Sequence, residues 1–124
     1  MRYAMLIYET PEDFDIYEGD EESLWSPWRA YYKALVAAGV YVDGSPLQPT
    51  TTSTTVRLRE GQRQVQDGPY ADTKEQLGGF IILEVPSLDA ALDWAARCPV
   101  AATGAVEVRP VNGRIHGMVT GQDG

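Results

Sequence analysis

The stretch DGPYADTKEQLGG, residues 67–79, places Asp67, Asp72, Lys74, Glu75 and Gln76 within ten residues of one another. Side chains of these types can move protons. Asp67 can accept a proton or a hydroxyl hydrogen bond. Lys74 can pair with an anionic substrate, or act as a base where burial strips its water. These two are the candidate catalytic residues. Tyr70 brings a ring and a phenol to the same stretch. Tyr8, Trp28, Tyr31 and Tyr32 can supply aromatic walls, and Arg109 can hold a carboxylate; aromatic walls with a few polar groups are what small-molecule pockets use. The same thirteen residues also spell a well-made turn. Asp bonds its own downstream backbone, Gly68 allows positive φ, and Pro69 sets the exit. Gly78-Gly79 permits a bulge or a close backbone approach as a strand begins. A ligand lip and a structural turn are both open readings of this segment.

The elements around the stretch follow from periodicity. RYAMLIY, residues 2–8, is apolar on both parities and reads as a strand buried on both faces. Ser26-Pro27 predicts a helix start, with a weaker turn over 21–25. Trp28, Tyr31, Tyr32, Leu35 and Ala38 then share one helical face, and Gly39 ends it. GVYVDGSP follows as a second strand. Residues 54–66 read as an accessory hairpin turning at 60–62. Residues 79–85, GFIILEV, form another strand apolar on both parities. Ser87 caps a helix with Leu88, Ala91, Leu92 and Ala95 on one face and an Asp93–Arg97 pair on the other. Residues 104–109 alternate as a half-buried strand. The remainder, 111–124, is expected to be a flexible tail after a single domain over 1–110.

Strand, helix, strand, hairpin, strand, helix, strand is an α+β order, the split βαβ or ferredoxin-like plan with an accessory hairpin. In that plan the first and third major strands are central. Those are the two that are apolar on both parities. With both helices on one face, the other face would stay wet, so a homodimer with sheets packed face to face is expected.

Composition excludes several functions. The 124 residues carry a net charge of −8, and eight of the eighteen acids lie between Glu9 and Glu22 with no basic residue among them. Removing those eight leaves ten acids against ten Lys and Arg, so the rest is neutral and has no basic footprint for nucleic acid. The acidic stretch reads as a solvated loop; Glu18 and Leu24 stand where a calcium loop needs glycine and glutamate. One histidine and one cysteine cannot build the usual zinc site, so no metal is expected. No phosphate-cradling, zinc-protease or nucleophile-elbow motif is present, and no cofactor is expected. The lone Cys98 fits a reducing cytoplasm. No run approaches the length of a membrane span, and MRYAMLIYETPEDF turns acidic too early for a secretory signal.

Asp67-Gly68-Pro69-Tyr70 followed by TKEQLGGF, residues 73–80, resembles the signature of the DGPF proteins, a branch of the YCII-related family, which usually has phenylalanine at the place of Tyr70. MRYAMLIY at the start, AAGV at 37–40 and VEVRPV at 106–111 resemble the same family. The resemblance implies a dimeric α+β barrel and no established activity; some relatives are encoded beside sigma factors of the extracytoplasmic-function type. Some family members are thought to use a His-Asp pair with the histidine in the first helix. That position falls at or beside Trp28, and the one histidine of this chain is His116. The functional expectation is a small-molecule-binding or regulatory module. The alternative is a cofactor-free lyase or isomerase acting on a small aromatic or polyketide-like substrate. The latter is analogy at the level of fold.

Overall fold

The computed structural model describes residues 1–13 and 21–121. The protein is an α+β chain. Four strands form one antiparallel sheet: β1 (Arg2–Glu9), β2 (Tyr41–Pro46), β5 (Gln76–Glu84) and β6 (Ala105–Pro110), in the order β2-β5-β1-β6. Strands β3 (Thr54–Arg59) and β4 (Gln62–Asp67) form the separate accessory hairpin, turning at Glu60-Gly61. The helices are α1 (Glu21–Ala37), α2 (Leu88–Ala96) and α3 (Gly113–Thr120). The strands apolar on both parities, β1 and β5, are central, as the pattern required.

Alternation along β1 decides the layers. Tyr3, Met5 and Ile7 pair with Leu83, Ile81 and Gly79 of β5 on the face that the helices cover. Trp28, Tyr31 and Leu35 of α1 and Ala91 and Ala95 of α2 pack onto them, with Met5, Leu35, Ile81 and Leu83 fully enclosed. Burying such side chains contributes about 1.5–3 kcal/mol each. On the other face Ala4, Leu6, Tyr8, Phe80 and Ile82 are only half-buried.

Four local expectations need correction. Helix α1 begins at Glu21, and Pro27 lies inside it rather than opening it; it stands beyond the first four N–H groups of the helix, so its missing N–H removes one hydrogen bond of the first turns. In α2, Ser87 caps as expected, accepting from the Ala90 N–H, but Leu88 and Leu92 face outward and the alanines face the sheet. The small side chains let α2 approach closely. Arg97 lies over the Trp94 ring, 4.3 Å from its centroid, where a pair with Asp93 was expected. The segment expected to be a loose tail carries α3, capped by Asn112 at one end and by Gly121 in the left-handed region at the other.

Candidate functional site

The residues singled out in the sequence are not brought together. Trp28 and Tyr31 lie in the core beneath the helices, at 6% and 5% exposure. Their rings meet edge to face at 6.1 Å, and the Tyr31 hydroxyl donates to the Trp94 carbonyl at 2.7 Å. Burial pushes the Tyr31 phenol well above its usual range and Tyr32 up to about 12, so neither is an ionising group near neutral pH. Tyr8 lies on the opposite face of the sheet, and Arg109 is at its edge, exposed and 3.9 Å from Glu107.

Asp67 ends β4 and is exposed, as are Tyr70 and Lys74. Gly68 has φ 105°, a conformation glycine adopts freely. Its N–H donates to the Ser53 carbonyl and its own carbonyl accepts from the Thr55 hydroxyl, both at 2.8 Å. Arg57 of the hairpin reaches across to the Tyr70 ring, 5.1 Å from its centroid, and its Nε is enclosed without an acceptor among the described residues. These contacts fasten the DGPY turn to the root of the hairpin.

A second cluster was not legible in the signature. Glu9 and Asp13, assigned by sequence to a solvated acidic loop, are buried at 5% and 8% exposure. The rest of that loop, residues 14–20, lies outside the described residues. Alternation places Glu9 here: it continues the Tyr3, Met5, Ile7 series at the end of β1 and so points to the helix-covered side. The chain then turns, and the Asp13 N–H donates to the Thr10 carbonyl at 3.0 Å. Asp13 Oδ2 accepts from the Thr10 N–H at 2.9 Å and the Thr10 hydroxyl at 3.0 Å, and Oδ1 accepts from the Thr103 hydroxyl at 3.3 Å. Glu9, by contrast, accepts no hydrogen bond from any described residue. Desolvation, reinforced by the charge of Asp13, pushes its carboxyl up to about 7 from the ordinary 4.5. Burial likewise lifts the Cys98 thiol to about 11, with Glu9 adding to the effect. Cys98 is thus a neutral neighbour and not a nucleophile near pH 7.

The glycine pair of the signature belongs to this cluster. The pairing of β1 with β5 slips between Ile7 and Tyr8, which leaves Gly78 as an extra, unpaired residue of β5. A Cβ on Gly78 would collide with the Glu9 carboxyl. The gap that admits Glu9 is made by the absence of that one carbon. The signal for it in the sequence was the conjunction of an acid at the buried parity of β1 with a glycine pair at the start of β5.

Among the described residues no three His, Cys, Asp or Glu side chains come together as a metal site, and no helix is long and apolar enough to cross a membrane.

A four-stranded antiparallel sheet with α1 and α2 packed on one face is an α+β plan. Residues 1–113 match the YCII-related domain. An uncharacterised protein of Rhizobium meliloti (strain 1021) is 39% identical over 114 residues, covering 90% of this chain and 92% of its own. The chain belongs to the YCII-related family. It is similar in fold to 5-chloro-2-hydroxyhydroquinone dehydrochlorinase from Burkholderia phenoliruptrix AC1100, solved in complex with 2,5-dihydroxybenzoquinone. The TM-score is 0.55 at 18% identity, over 94% of this chain and 98% of that one.

Proposed function

We propose that this chain is a small-molecule-binding protein whose ligand is received at the C-terminal end of β1, against Glu9. One observation carries the reading: Glu9 is a carboxyl at 5% exposure, set against Gly78 where a side chain would displace it, and no described residue donates a hydrogen bond to it. Burying an unpaired polar group costs about 1–3 kcal/mol, and buried polar groups are normally paired. A ligand hydroxyl would supply the missing partner. The DGPY turn, with Asp67, Tyr70 and Lys74, belongs to the rim of the hairpin root. The working form is a homodimer of ferredoxin-like subunits joined as an α+β barrel. The strand order and the half-buried apolar face of β1 and β5 support that assembly.

A second reading, a cofactor-free lyase or isomerase acting on a small aromatic or polyketide-like molecule, is favoured by a carboxyl held near neutral pH. The fold neighbour, a dehydrochlorinase bound to a dihydroxybenzoquinone, supports a ring bearing hydroxyl and carbonyl groups as the first ligand class to try. The test is a thermal-shift and calorimetric screen of dihydroxybenzenes, dihydroxybenzoquinones and hydroxylated cyclic ketones against wild type and Glu9→Gln. Binding by wild type that weakens at least tenfold in the variant is the expected result. Absence of binding across the panel, or equal binding by both proteins, would refute the site.

A further inference from the structure

We infer that Glu9 is the proton-transferring residue of this site and Asp13 its positioning residue, acting on an uncharged ligand with an acidic hydrogen beside a carbonyl group. The inference deepens the proposed ligand site and rests on it. Its basis is the unequal treatment of two adjacent carboxyls. Asp13 has three donors, two from Thr10 and one from Thr103. Glu9 has none among the described residues, although it is the more buried of the two. An acid whose lone pairs are filled by its own fold has no capacity left for a ligand proton. An acid that no described residue bonds, its carboxyl filling the space beside Gly78, keeps that capacity. Two acids in contrasting environments divide the work, one held by hydrogen bonds from its own fold and the other free to exchange a proton.

Asp13 also limits what can enter. Its charge lies beside the site and opposes a second anion, which favours an uncharged ligand. The groups that act electrically on Glu9 are Asp13, on the turn after β1, and Cys98, beyond α2. Strand β5 contributes Gly78 and Gln76, neither of which titrates. A carboxyl poised near neutral pH suits general acid–base transfer at that pH, since a useful share is ionised to take a proton and the protonated form can return it. The step balances without a cofactor. A Glu9 carboxylate oxygen takes the hydrogen from the carbon next to the carbonyl, and the C–H electron pair moves into a dienolate. The Glu9 carboxyl then returns the proton to the far carbon. One C–H bond breaks, another forms, and nothing is oxidised or reduced.

The probe is cyclohex-3-enone, whose conversion to cyclohex-2-enone follows this course and is read by the absorbance of the conjugated product. Binding of cyclohex-2-enone is measured in parallel by calorimetry. Wild type is expected to convert the probe faster than buffer, with a rate that rises with pH through a midpoint near 7. Glu9→Gln should lose about 100-fold or more of that rate, with its fold checked by circular dichroism. Asp13→Asn should keep a measurable rate while its midpoint moves to lower pH, a change that loss of mere scaffolding would not produce. Glu60→Gln, at the hairpin tip, should match wild type. No rate above buffer in wild type, an unaffected Glu9→Gln, or loss of the rate in Asp67→Asn with Glu9→Gln intact would each overturn the inference. Binding of cyclohex-2-enone without conversion would overturn the proton-transfer role and leave the ligand site standing; no binding would count against both.

Discussion

Replacing Glu9 by glutamine should change how stability depends on pH. The glutamine keeps the shape and removes the titration. In the folded protein the Glu9 carboxyl has been pushed up to about 7, against an ordinary 4.5 for the unfolded chain. The folded state therefore holds a proton between those two values that the unfolded state has released. Below pH 4.5 both states carry it and there is no difference. As pH rises from 4.5 through 7, folding must either retain the proton or bury a charge, and stability is lost. A tenfold difference in acidity between folded and unfolded chain corresponds to about 1.4 kcal/mol, so the loss between about pH 4 and about pH 8 is roughly 3 kcal/mol. That is a large fraction of the roughly 5–15 kcal/mol typical of a domain. Urea unfolding of wild type and Glu9→Gln at half-unit pH intervals across that range isolates it, because the other titrating groups are common to both. Wild type minus variant should fall by about 3 kcal/mol across the range, most steeply between about pH 5 and about pH 7. Parallel curves, or a difference that grows with pH, would refute the reasoning.

Gly78→Ala should cost about 1–3 kcal/mol by forcing the new methyl against Glu9, and much less in a Glu9→Ala background, where the obstruction is gone; a double-mutant cycle by urea unfolding measures the coupling. Tyr31→Phe removes the hydroxyl bonded to the Trp94 carbonyl and should lower stability by about 1–2 kcal/mol with the fold intact by circular dichroism. Phe80→Asp places a charge on the half-buried helix-free face of β5 and should yield a monomer by multi-angle light scattering, whereas wild type should have twice the chain mass.

The parts of the fold that the sequence disclosed are those governed by periodicity. The unbroken apolar runs of β1 and β5 announced central strands, and Ser87 announced a cap. The helix over 113–120 was hidden because Gly113, Gly117 and a histidine dilute its pattern, and its ends are set by Asn112 and Gly121. The start of α1 was misplaced because Ser26-Pro27 is a strong local signal inside a longer helix. The candidate site was obscured for a different reason. Its acids sit in a run of eight, and a charge run reads as solvent-facing. What moves Glu9 inward is the strand parity it inherits from Tyr3, Met5 and Ile7, together with a gap at Gly78 on a strand far along the chain. Neither composition nor motif spacing carries that pairing; the register of β1 against β5 does.

The central claim is that Glu9 is an enclosed carboxyl that exchanges its proton near neutral pH. The direct measurement is a titration of the side-chain carboxyl carbons by nuclear magnetic resonance in protein labelled at glutamate, with Glu9 assigned from the Glu9→Gln spectrum. A resonance that titrates with a midpoint near 7, and moves to lower pH in Asp13→Asn, is the result predicted. A Glu9 midpoint near 4.5 in wild type would show a solvated carboxyl and would contradict the account.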